Sequence, residues 1–438
     1  EQLIATGYLA LPHVLAVDRD KERLKLDTID EQLDVIGKTF LGIQICCARC
    51  HDHKIDPFPT ADYYAMAGIF RSTNTLKASA SQETLETAGA ELKDSSESLP
   101  IWMRGGRGVT IHSTNDADEA RDEPIHLRGE QDMLGEVVPR GFPTMLSASV
   151  HPEIPKGESG RVQLADWILA EDNSLAARVI VNRVWHHVFG QGLVRSTDNF
   201  GLTGDTPSHP ELLDFLAVRF RDHHEHSFQS LIRELVTSRA FRQSSHARAE
   251  GLEIDPENRL VWRSNLRRSD AESLIDAIQW VSGTLDLKPA AGTVPEFKRG
   301  NQASTSRLEI PKSTLRKRAL YWPVFRKDIP IMMDVLSIFD FPPATAPRGR
   351  RGATRVPSQS LALLNSPIVL DAARALQRSL PQADDETRLE DLYLRTLARK
   401  PSESESSEAL AFLRSFEEGL TKEEAAKPAN VSNVALSW

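Results

Sequence analysis

The sequence predicts a mainly α protein, with a helical N-terminal segment, a small β-rich middle region and a larger helical C-terminal domain. Three observations carry this prediction. Apolar residues recur at three- and four-residue spacing through most of the chain. Short β-type runs broken by Gly, Pro and Asp gather between residues 99 and 159. Helix start and stop signals, such as Asp30, Thr60, Pro210 and Gly190, flank the periodic stretches.

Residues 1–75 read as the first segment. Asp30 and Glu31 supply an N-cap and an acidic first turn, and Leu33, Ile36 and Phe40 then share one face. Asp56-Pro57-Phe58-Pro59 forces an extended turn, and Thr60 caps a second helix carrying Tyr63, Tyr64, Met66, Ile69 and Phe70. Residues 76–160 form the second segment. Residues 76–95 read as a polar linker or surface helix. Gly108–His112, Pro124–Leu127 and Gly135–Val138 read as strands. Residues 161–425 form the helical domain, with apolar faces around Trp167, Trp185, Leu213 and Leu231. A capping box is expected at Ser269–Glu272. Residues 290–315 read as a loop and Arg318–Phe325 as a strand.

Composition narrows function. The chain of 438 residues is 40% apolar and 26% charged, ordinary for a folded globular protein. A net charge of −9 argues against nonspecific nucleic-acid binding, which needs a basic face to neutralise phosphates. No apolar run is long enough for a transmembrane helix. The chain begins at Glu1 rather than Met, so an export signal is expected upstream.

All three cysteines, Cys46, Cys47 and Cys50, fall within five residues. Such a cluster closes no long loop, so it points to a cofactor, a metal or a local thiol pair. Cys47-Ala48-Arg49-Cys50-His51 fits covalent haem attachment. Two thiols at this spacing reach the two vinyl groups of one porphyrin, and the next His supplies the axial nitrogen. Haem c is therefore the expected cofactor, with Cys47 and Cys50 as anchors and His51 on the iron. Candidate sixth ligands are Met66, then His53, with His13 and His112 further off. Two alternatives stay open: Zn²⁺ on Cys47, Cys50, His51 and His53, and a bare dithiol.

The chain resembles the planctomycete-type proteins that join a cytochrome-c-like domain to a large C-terminal domain of unknown function. In the first part the resemblance lies in Phe40–Ile43, Cys47–Pro57, Asp62–Tyr64 and Gly68–Phe70. In the second it lies in Ala177–Trp185, Phe189–Val194, Asp198–Gly201, His209–Leu213, Thr237–Phe241, Asp255–Arg259 and Pro357–Leu361 with Leu364-Asn365. It implies that residues 1–75 are the C-terminal part of a cytochrome-c-like domain. It also implies an exported protein, periplasmic or otherwise extracytoplasmic; the haem motif in turn predicts electron exchange with redox partner proteins.

A second reading places a hydrolase or carbohydrate site in the helical domain. Arg183, His187, Asp198 and His209 are its candidate polar pocket, and Glu211 and Asp214 lie one helical turn apart. Arg348, Arg350, Arg351 and Arg355 form the densest basic run, a candidate anion site for acidic polysaccharide or haem propionates.

Overall fold

A computed structural model describes residues 8–9, 20–79, 110–146, 152–288, 312–322, 324, 334–342 and 348–419. The fold is mainly helical, with fourteen α-helices and two small antiparallel sheets among these residues. The chain forms two compact units. The first holds residues 1–98, 106–267 and 345–350, and the second holds 99–105, 268–344 and 351–438. Residues 20–75 and 161–267 share the first unit, and the second takes up the chain from Arg268.

In the first unit α1 spans Lys21–Ile36. Asp20 caps it, its carboxylate accepting from the Glu22 and Arg23 amides at 3.0 and 3.1 Å. The helix therefore starts ten residues before Asp30, because its first turn, Lys21–Arg23, is charged and carries no apolar signal. Leu26, Ile29, Leu33 and Ile36 form its buried stripe. A π turn, Gly37–Leu41, ends at Gly42 with φ 61°. A 3₁₀ turn, Ile45–Arg49, then leads into α2, Thr60–Arg71. Nine of the twelve residues of α2 are buried, so it is the central helix of its core.

Strand β1, Thr73–Ser79, pairs antiparallel with β2, Thr110–Asp116. Residues 76–79 are thus strand and not the polar linker expected. Pairing with a segment over thirty residues away leaves no local sequence signature. Residues 80–95 lie outside the described residues. Strands β3, Glu123–His126, and β4, Leu134–Val138, form a hairpin with an irregularity between Pro124 and His126.

Helices α3, Arg161–Leu169, and α4, Ala176–Phe189, follow. Gly190 at φ 86° stops α4 as expected. Pro210 opens α5, Pro210–Val218, ahead of α6, Phe228–Thr237, and α7, Ala249–Ile254. Two cores result. One gathers Leu33, Ile45, Phe58, Tyr64, Met66, Phe70 and Trp167. The other gathers Val181, Trp185, Leu213, Leu216, Phe220 and Leu231.

The second unit contains α8, Ala271–Val281, the short α9, Lys312–Leu315, and α10, Asp334–Ile338. It continues with α11, Pro357–Asn365, α12, Pro367–Ser379, α13, Asp385–Leu397, and α14, Glu403–Gly419. Ile275, Leu315, Trp322, Leu336 and Phe339 form its core. Asp270, not Ser269, caps α8, accepting from the Ser273 amide at 2.8 Å, and Glu272 pairs with Arg351 instead of closing a capping box. The strand expected over 318–325 is a 3₁₀ turn, Ala319–Tyr321. Its Trp322 is buried and donates from Nε1 to the Lys317 carbonyl at 3.1 Å. The end of the loop expected over 290–315 is helix α9, and the rest lies outside the described residues.

Candidate functional site

The cysteine motif takes its exposure from 3₁₀ geometry, in which residues three apart lie on the same side. Ile45 and Ala48 point into the core and are completely buried. Cys47 and Cys50, also three apart, point outward, and both are exposed. Cys46 is half-buried and donates from Sγ to the Asp30 carbonyl at 3.2 Å. Burial pushes this thiol up, further raised by Asp30 and Asp34, so it stays protonated and inert. The cluster thus resolves into two presented thiols and one structural thiol.

Three contacts fix the turn from behind. Arg49 reaches Asp27 at 3.2 Å, and Tyr63 donates to Asp30 Oδ1 at 2.7 Å. Tyr64 donates to the Arg49 carbonyl at 2.9 Å and lies 3.3 Å from the His126 carbonyl, joining the motif to the β3–β4 hairpin. Its ring stacks on His126 at 5.3 Å, and burial pushes its hydroxyl up to about 12, so it remains a donor. On the outer side Gly129, at φ 77°, touches Cys50. A Cβ there would meet Sγ at 2.7 Å. The support that Asp30, Tyr64 and Gly129 give the motif was not legible in the sequence, because each acts through a contact distant along the chain.

The two imidazoles of the motif divide by proton placement. His51 is exposed, and its Nδ1 lies 2.6 Å from the Asp52 carbonyl. A carbonyl only accepts, so Nδ1 carries the proton and Nε2 keeps a free lone pair. His53 is the reverse. Its Nδ1 accepts from the Asp56 amide at 2.8 Å, so Nε2 bears the proton and offers no ligand. The rest of the motif is structural. Asp52 accepts from the Thr60 amide at 2.8 Å and caps α2. Asp56, buried, accepts from the Leu202 amide at 2.7 Å. Gly201 is required beside it, since a Cβ would fall 2.5 Å from both carboxylate oxygens.

Met66 is completely buried in the first core, so its sulfur fills space there. His13 lies outside the described residues, as does the side chain of His112. Among the described residues, no three His, Cys, Asp or Glu side chains form a metal-holding group.

Arg183 and Asp198 come together at 3.2 Å, but both are engaged elsewhere. Arg183 donates to the carbonyls of Lys38 and Thr39, closing the end of the π turn, and Asp198 accepts from the Gly349 amide at 2.6 Å. His187 is exposed, with its carbonyl taken by Arg267 at 2.6 Å, and His209 Nδ1 sits 3.0 Å from the Ser208 hydroxyl. Asp214 is held by Arg178 at 2.6 Å. Arg348 and Arg350 belong to the first unit, Arg351 and Arg355 to the second. Arg351 is committed to Glu272 at 2.5 Å and lies over the Phe341 ring.

His186, next to the candidate His187 on the same helix, stands in this cationic group. Burial, aided by the positive His187, Arg350 and Arg267 and opposed by Asp198, holds its imidazole down to about 4. In the unfolded chain it takes up a proton near 6.5. Between these values the unfolded chain binds more protons, so this group's support for the fold, complete above 6.5, is lost as pH falls toward 4. His186→Gln is expected to flatten the melting-temperature profile in that window, and an unchanged profile contradicts the assignment.

Fold and site together define a mainly helical protein that presents two thiols and one unprotonated imidazole nitrogen on a rigid surface turn. Residues 160–413 match the family model PSD1, described as a protein of unknown function (DUF1553), and the chain belongs to that family. Residues 1–75 match a second model, PSCyt2, also a protein of unknown function (DUF1549). No curated protein and no solved structure matches the chain. No helix among the described residues is long and apolar enough to cross a membrane.

Proposed function

We propose that the chain carries a covalently bound haem c at Cys47, Cys50 and His51 and passes electrons to a redox partner protein in an extracytoplasmic compartment. The observation that carries this reading is the state of His51, an exposed imidazole whose Nδ1 proton is held by the Asp52 carbonyl and which directly follows two exposed thiols in the motif. A second interaction that fixes the tautomer is what an axial imidazole requires. The donor set therefore fits the group. When bound, haem supplies one-electron transfer between ferric and ferrous iron.

The chain's own part is attachment and positioning. Cys47 and Cys50 would hold the group through thioether bonds, each S–H adding across one vinyl double bond with no other reactant. Tyr64 and Arg49 keep the turn in register, and Gly129 leaves Cys50 uncrowded. Exposure of all three groups suits docking of a partner over the haem edge. Zinc has less support, because its fourth ligand, His53, carries its proton on Nε2. The hydrolase reading has less support because Arg183 and Asp198 neutralise each other and hold backbone.

The test is expression with c-type maturation machinery. The expected result is a Soret absorbance and a chain mass increased by haem after denaturation. An unmodified mass and no Soret band overturn the proposal.

A further inference from the structure

Beside Cys50 lies a surface for which the electron-transfer reading has no use so far. The tip of the β3–β4 hairpin touches this cysteine through Gly129. At that tip the hairpin exposes Leu127, Met133 and Leu134, at 46, 48 and 58%. Apolar surface left in water costs roughly 25 cal/mol per Å² relative to burial, so three such side chains at one hairpin tip favour a cover. Met133 stands on the tight turn. Its amide donates to the Glu130 carbonyl at 3.1 Å and its carbonyl accepts from the Leu127 amide at 2.8 Å, fixing the backbone while the thioether stays free. Met66 is completely buried and Met145 packs half-buried on the same core, so Met133 is the exposed methionine among the described residues.

The geometry points to Met133 as the second axial ligand of the haem iron, with Leu127 and Leu134 covering the ring on that side. This inference rests on the haem reading above. Attachment through Cys50 would bring the group against that sulfur, and the segment already touching the sulfur is this hairpin. The faces of a porphyrin are apolar, as are these side chains. A thioether ligand opposite an imidazole raises the reduction potential. Tyr64, bonded toward both Arg49 and His126, ties the two ligand-bearing segments to one frame.

The experiment compares the matured full chain with Met133→Ala, Met133→His and Met66→Leu. Haem mass on the denatured chains is read first, then the near-infrared sulfur-to-iron absorption of the ferric protein, then the midpoint potential. The wild type and Met66→Leu are expected to show the sulfur band. Met133→Ala is expected to lose it, fall in potential and bind added imidazole. Met133→His is expected to lose the band yet refuse added imidazole. Loaded haem with no sulfur band in the wild type, a band surviving in Met133→Ala, or one lost in Met66→Leu overturns the assignment of Met133 alone. Absence of haem from every chain overturns the underlying haem reading and this inference with it.

Discussion

Changing both Cys47 and Cys50 to serine should take the matured protein from stoichiometric covalent haem to none, while Cys46→Ser should leave the loading intact. The contrast follows from the 3₁₀ turn, which turns Cys47 and Cys50 to solvent and Cys46 toward the Asp30 carbonyl. Each single variant retains one thiol and is expected to hold haem through one thioether, visible as the same mass gain with a shifted absorbance. His51→Ala removes the only imidazole of the motif with a free Nε2 lone pair, so haem attached to that variant should bind exogenous imidazole. His53→Ala should instead act on stability. It deprives the Asp56 amide of its acceptor, at a cost of about 1–3 kcal/mol for a buried donor left unpaired. Mass spectrometry of the denatured variants reads the outcome. Zinc bound by the folded wild type and lost equally from the His51 and His53 variants, read by native mass spectrometry, would point to zinc, and full haem loading of the double serine variant would remove the thioethers from the account.

The part of this site that was legible in the sequence is the part made of neighbours. Two thiols and an imidazole in five consecutive positions declare themselves, because local spacing sets their geometry. Which imidazole is free could not be read, since the two histidines differ only in whether Nδ1 faces a carbonyl or an amide. The second ligand was sought on α2 for the same reason. Met66 lies on the helix that directly follows the motif, whereas Met133 lies on a hairpin that meets Cys50 through Gly129, a contact distant along the chain. The fold divides in the same way. Gly190 and Pro210 ended and began helices where expected, because those signals act through the residue's own backbone. Thr73–Ser79 was missed because its hydrogen bonds run to residues 110–116, and the early start of α1 was missed because Asp20 announces a helix whose first turn is charged. The basic run near 350 shows a further limit. Sequence density says nothing about partners, and Arg351 spends its charge on Glu272.

The motif Asn182-Arg183-Val184-Trp185 can be argued to the same depth, and it carries the largest expected effect on stability. Asn182 is completely buried. Its Nδ2 donates to the Val194 carbonyl at 2.9 Å and its Oδ1 accepts from the Val194 amide at 2.8 Å. One side chain thus satisfies both polar groups of a residue that no helix or strand serves. Gly192 presses on this amide, where a Cβ would stand 2.9 Å from Oδ1, so the site has no slack to repack. Asn182→Asp keeps the shape and reverses one bond, setting a carboxylate oxygen against the Val194 carbonyl. An uncompensated buried charge costs about 3–5 kcal/mol, a large share of a typical folding free energy of about 5–15 kcal/mol. The new carboxyl escapes part of this cost by holding a proton, which restores a donor toward the Val194 carbonyl. Its folded pKa then lies above its unfolded one, so the variant's deficit should be small below pH ~4 and grow as pH rises through the folded value. Asn182→Leu carries no proton to regain and should lose stability equally across that range, by about 1–3 kcal/mol for each backbone group left bare. Denaturant unfolding of the three proteins at acid and neutral pH separates these outcomes. An Asp variant as stable as the wild type at neutral pH would mean that Val194 finds its partners elsewhere.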